Sequence, residues 1–79
     1  MSAITVYTST QCVQCYATKR KLKELGADYT EINVDTDNEA RDFVMSLGYV
    51  SAPVVVAGES DHWSGFRPDR LTAAVAESS

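Results

Sequence analysis

The apolar and polar positions of this chain alternate between the period of a strand and the period of a helix. AITVY, residues 3–7, is apolar and β-branched almost without a break, which predicts a strand covered on both faces. From Cys15 the small or apolar positions recur at Thr18, Leu22 and Leu25, a spacing that only a helix gathers on one face, and Gly26 follows where a helix C-terminal glycine belongs. YTEINV, residues 29–34, sets Tyr29, Glu31 and Asn33 against Thr30, Ile32 and Val34 and reads as a second strand. Thr36 stands three residues before Glu39, the spacing of a capping box. Ala40, Phe43, Val44 and Leu47 then follow at helical intervals before Gly48. PVVVA, residues 53–57, predicts a third strand opened by a proline, GESD a turn, and HW the start of a fourth strand. Pro68 takes the first position of a last helix whose inner face carries Leu71, Ala74 and Val75.

Strand, helix, strand is a βαβ unit, whose two strands lie parallel with a right-handed crossover. The fold class is therefore α/β, in the order βαβαββα. In a thioredoxin-like arrangement of that string, a four-stranded mixed sheet has the order 2-1-3-4 and is flanked by three helices. Its first two strands are parallel and its last two are expected antiparallel to them. Reaction sites of α/β sheets gather at the C-terminal ends of such strands, which is where the segment CVQC falls.

Composition narrows the setting. Seventy-nine residues make one domain, 1–79, near the lower limit for a core without staples. A formal charge of −4 with 44% apolar residues suits a soluble protein and gives no footing for nucleic acid. No apolar run approaches the roughly 18 to 20 residues of a membrane span. MSAITVYTS shows no cationic export signal, so the expected compartment is the cytoplasm, which disfavours a persistent structural disulfide; the expected state is a monomer.

The two cysteines, Cys12 and Cys15, could be a redox pair, two legs of a metal site or a structural staple. A C-x-x-C at the strand-to-helix junction of a first βαβ unit favours the redox reading. The helix N-terminus offers unpaired N–H groups and a partial positive charge, and in such motifs the nucleophile's pKa falls from about 8.5 to roughly 3.5–7.5. Cys12, at or just before the first helical residue, is expected to be partly ionised. Cys15, on the inward stripe with Thr18 and Leu22, is expected to be buried with a higher pKa. Cys12 then attacks a partner's disulfide and Cys15 resolves the mixed disulfide. Structural zinc needs four protein ligands. Two thiols and the single imidazole of His62 cannot supply them, although a dimer could pool four thiols around zinc or an iron–sulfur cluster. The expectation is no metal and no bound cofactor.

Pro53 opens the third strand opposite Cys12. Taken alone an X–Pro bond is trans by default, but in this fold a cis bond is expected, turning the backbone of Ala52 outward to pair with an extended peptide. Val13, Gln14, Ala52 and Pro53 are accordingly the expected partner-binding residues, with Val50 near them. Lys19, Arg20, Lys21 and Lys23 read as a solvated helix face, and His62 as a surface or capping residue.

HWSGFRPD, residues 62–69, taken with CVQC and APVV, closely resembles the NrdH-redoxins, glutaredoxin-like members of the thioredoxin superfamily. The resemblance implies a small dithiol–disulfide electron donor with Cys12–Cys15 as its redox disulfide. Electrons would come from NADPH through the flavoprotein thioredoxin reductase and pass to the disulfide of class Ib ribonucleotide reductase. It also implies a structural motif of Trp63, Ser64, Gly65, Phe66, Arg67, Pro68 and Asp69, in which Trp63 and Phe66 anchor the loop before the last helix while Arg67 and Asp69 make local polar contacts. Glutaredoxins usually carry C-P-[YF]-C, a lysine shortly before it and a late glycine pair with an aspartate, which hold glutathione. Here Thr8, Ser9, Thr10 and Gln11 precede CVQC and the late segment is WSGFR. Many NrdH-redoxins have Lys-Pro where Ser9-Thr10 stands, so the depression of the Cys12 pKa rests on the helix terminus and is expected to be modest. A glutathione-dependent glutaredoxin and a metal- or cluster-binding scaffold are the alternatives.

Overall fold

The computed structural model of the chain describes residues 4–58 and 61–78. Its elements are β1 (Ile4–Thr8), α1 (Val13–Glu24), β2 (Tyr29–Asn33), α2 (Asn38–Ser46), β3 (Val54–Val56), β4 (His62–Ser64) and α3 (Pro68–Ser78). The sheet order is β2-β1-β3-β4, with β1 and β2 parallel and three helices flanking it, a thioredoxin-like fold. One direction differs from expectation. β3 is antiparallel to β1, but β4 is antiparallel to β3 and so runs with β1. The reason is the short link between them: Ala57 N–H donates to Asp61 O at 2.8 Å, and a link this tight reverses the chain. Within the expected GESD turn, Glu59 and Ser60 lie outside the described residues, as does Ala3 of the first strand.

Alternation along β1 sends Ile4, Val6 and Thr8 to one face and Thr5 and Tyr7 to the other. On the first face Ile4, Val6, Val55 and Trp63 pack with Leu22 of α1 and with Leu71 and Ala74 of α3, forming the main core. On the second, the Tyr7 ring meets Phe43 of α2 at 5.7 Å between centroids. Phe43 is 42% exposed, although its periodicity placed it on an inner face, whereas Val75, partly buried, packs against the main core as its periodicity implied.

The helix ends follow local chemistry. Gly26 has φ +70°, Gly26 N–H donates to Lys23 O and Ala27 N–H to Leu22 O, both at 3.0 Å, so α1 closes as a Schellman motif. At α2 the N-cap is Asp37, not Thr36. Asp37 Oδ1 accepts from Ala40 N–H at 3.0 Å, while the Thr36 hydroxyl donates back to Asn33 O at 3.2 Å. Asn33 explains the shift: its Oδ1 takes Asp35 N–H at 2.8 Å, ends β2 in a turn and draws Thr36 into it. Asp37→Ala is expected to lower stability by about 1 kcal/mol, read as a fall in the urea midpoint, whereas Thr36→Ala should cost less.

Candidate redox site

β1 delivers the chain to the C-terminal edge of the sheet, and the segment 9–11 turns it into α1. Thr10 N–H is held by Asp35 Oδ2 at 2.8 Å, and Gln11 adopts φ +58°. Cys12 then occupies the N-cap of α1 with extended dihedrals, and its Sγ accepts the N–H of Cys15 at 3.1 Å. This sulfur sits where an oxygen of Ser or Asp caps other helices, in the field of the helix terminus. Cys12 and Cys15 are joined in a disulfide with Cα atoms 5.2 Å apart, inside the range such bridges require. The two sulfurs are not equivalent. Cys15 is 2% exposed, under the first turn with Thr18 and Leu22, whereas Cys12 is half-buried at the rim of a cleft.

That cleft, of about 590 Å³, is lined by Cys12 and Ala52 together with Tyr7, Arg41, Met45, Tyr49 and Val50. Around it Val13 is 81% and Val50 92% exposed, so apolar side chains flank Cys12. Burial pushes the Tyr7 phenol up from its ordinary value, with the charge of Asp37 adding to the effect, and keeps it neutral near the site at physiological pH.

The Ala52–Pro53 bond is cis. The Pro53 ring is fully buried and its carbonyl accepts Gly65 N–H at 2.8 Å, so Pro53 shapes the wall without offering side-chain surface. Ala52, half-buried, lines the cleft, and its N–H and C=O make no hydrogen bond among the described residues. Gln14 is exposed on α1, and its Oε1 accepts Phe66 N–H at 3.4 Å. The late octapeptide is thereby brought to both halves of the site: Gly65, at φ +87°, reaches Pro53, and Phe66 reaches Gln14. Trp63 is in the core with the Arg70 guanidinium 4.7 Å from its ring centre, and Ser64 lies on β4 with its hydroxyl toward Ser51 O at 3.4 Å. Arg67 Nε donates to Ser64 O at 3.4 Å, the local contact expected of it. Asp69 differs: it lies exposed in the first turn of α3 beside Pro68, where its charge favours the helix terminus, and its side chain makes no hydrogen bond or ion pair among the described residues.

Arg41, Met45 and Tyr49 were not singled out from the sequence. Arg41 and Met45 are four residues apart, so the periodicity that marked Val44 could also have marked their shared face. Tyr49 had no such signal; its hydroxyl is 2.7 Å from Nδ1 of His62, a contact between the loop after α2 and strand β4 that only the fold makes. Among the described residues no three His, Cys, Asp or Glu side chains cluster as metal ligands, and His62 is engaged by Tyr49.

The glutaredoxin family profile matches residues 4–63. The glutaredoxin-like protein NrdH of Escherichia coli K12 is 48% identical over 68 residues, 86% of this chain and 83% of that one. The protein of the same name from Lactococcus lactis strain MG1363 is 37% identical, over 86% of this chain and 93% of its own. Among solved structures, Escherichia coli NrdH-redoxin, described as a glutaredoxin-like protein with a thioredoxin-like activity profile, superposes with a TM-score of 0.85 at 46% identity, covering 90% of this chain and 92% of that one.

Proposed function

Because the chain belongs to the glutaredoxin family, and within it to the NrdH glutaredoxin-like redox proteins, we propose that it carries electrons from NADPH, through thioredoxin reductase, to protein disulfides, with class Ib ribonucleotide reductase as its main client. The observation that carries this reading is the asymmetry of the pair: Cys12 Sγ caps α1 at an open cleft while Cys15 is covered. In the reduced protein the Cys12 thiolate attacks one sulfur of the client's disulfide and expels the other as a thiolate. Cys15 then attacks Cys12 and releases the second client thiol. Two electrons leave this chain, the client is reduced, and the Cys12–Cys15 disulfide awaits the reductase.

Support for the electron source comes from the residues around the pair. No lysine stands at 8–11, and the late segment is occupied in bracing Gln14 and Pro53, so the features that hold glutathione in glutaredoxins are largely missing. A thioredoxin-like activity profile in the Escherichia coli relative agrees with this. Val13, Gln14 and Ala52 would meet the client, whose extended backbone pairs with Ala52. The protein would act as a cytoplasmic monomer without a bound cofactor.

With thioredoxin reductase and insulin as disulfide substrate, NADPH oxidation is expected to depend on this protein. With glutathione and glutathione reductase it should stay near background. Turnover only in the second system would replace this reading with a glutathione-dependent glutaredoxin. Stoichiometric zinc or a cluster chromophore in freshly purified protein, without turnover in either system, would favour a scaffold.

A further inference from the structure

A second, smaller cleft reaches the disulfide from the sheet face that carries α1. It holds about 220 Å³, and Thr8, Lys19 and Glu31 line it together with both cysteines. The spacing 12, 15, 19 sets the cysteines and Lys19 on one helix face. The parallel register places Val6 beside Glu31 and Thr8 beside Asn33, so the side chains of Thr8 and Glu31 leave the sheet on the same side. Thr8 is 2% exposed, and its hydroxyl donates to Glu31 Oε2 at 3.1 Å. Lys19 Nζ donates to the same oxygen at 3.0 Å. With its one proton given to Glu31, the Thr8 oxygen keeps lone pairs free to accept another.

Resolution needs a base. A covered thiol holds its proton more firmly than the free value of about 8.5, and the protonated form is a poor nucleophile. We propose that Glu31, acting through the Thr8 hydroxyl, takes the proton of Cys15 as Cys15 attacks the mixed disulfide, while Lys19 fixes the carboxylate in place. This rests on the reading of Cys12 as the attacking and Cys15 as the resolving thiol. The proton of Cys15 passes to Thr8 Oγ1 as that hydroxyl's own proton passes to Glu31. The Cys15 electron pair forms the bond to Cys12, and the bond from Cys12 to the client breaks. The client sulfur leaves as a thiolate and is protonated from solvent, into which Glu31 later loses its proton. Glu31 is thus a positioning residue for the proton, not a group that touches the client. Besides the cysteines, the ionisable groups lining this cleft are Lys19 and Tyr16 from α1 and Glu31 from β2, with Asp35 at its rim on Thr10 N–H.

Reduced protein mixed rapidly with dithiobis(nitrobenzoate) releases one thionitrobenzoate when Cys12 attacks and a second when Cys15 resolves. Glu31→Gln is expected to slow the second release about tenfold or more near pH 6, leaving the first within about twofold of wild type. The deficit should shrink as the pH is raised, because a growing share of the thiol then ionises without a base. Thr8→Val should show the same deficit, and the double variant no further one, as expected of two groups on one path. A normal second release near pH 6, a deficit equal at every pH, or a normal Thr8→Val would each overturn the proton path. Wild-type first release in Cys12→Ser would instead overturn the cysteine roles, so the two failures are distinguishable.

Discussion

Cys15→Ser is expected to turn the carrier into a trap. The variant should accumulate a mixed disulfide between Cys12 and its client, seen as a non-reducing gel band that dithiothreitol removes, and its turnover with thioredoxin reductase should fall to background. Cys12→Ser should be equally inactive and trap nothing. The contrast follows from geometry. The interaction that favours a Cys12 anion is the backbone N–H of residue 15, which a serine also supplies, together with the field of the α1 N-terminus. The substitution thus keeps the attacking sulfur and its cap and removes only the resolving step. Cys15, at 2% exposure, cannot meet a bulky client disulfide, so of the two cysteines in the chain losing Cys12 removes the one thiol a partner can reach. A stable adduct in Cys12→Ser and none in Cys15→Ser would exchange the two roles.

What sequence could and could not disclose separates along a physical line. Elements with a strong period were legible: α1 through Thr18, Leu22 and Leu25, β1 through its β-branched run, and Pro68 as the first residue of α3. The phase of α1 alone also places Cys15 inward. The α2 cap was misread because Thr36 and Asp37 are both good capping residues. Asn33, in a different element, decided between them. The direction of β4 was missed because it depends on the β3–β4 link, not on any periodicity within the strand. The long-range ties of the site were least legible. Phe66 lies 52 positions from Gln14, and nothing local to CVQC announces that the octapeptide braces it. The two clefts were likewise invisible, since each is built from side chains of several elements.

Leu22→Ala is expected to be among the costliest single truncations of the core. Leu22 is 0% exposed and lies in the core shared by β1, α1, β3, β4 and α3. Removing a buried leucine side chain to alanine costs about 2–5 kcal/mol, the upper part of that range applying where the surroundings cannot close over the void. Here α1 and α3 both rest on a four-stranded sheet, so collapse around the cavity would have to pull two helices inward together. A domain of this size has roughly 4–12 kcal/mol in all, so the loss is a large share of its stability. At about 4–8 °C per kcal/mol, the melting midpoint by circular dichroism should drop by at least about 8 °C. Val13→Ala, at a site 81% exposed beside Cys12, should move it by no more than about 2–4 °C, within the roughly 0.5 kcal/mol usual for surface changes. Leu22 lies seven residues after Cys15 on the same helix face, so it fixes how α1 lies on the sheet, while the cap at Cys12 is made locally by Cys15 N–H. Below its lowered midpoint the folded Leu22→Ala protein should therefore release the first thionitrobenzoate at close to the wild-type rate. A slowed first release in the folded variant would show that the reactivity of Cys12 depends on how α1 is seated and not on its terminus alone.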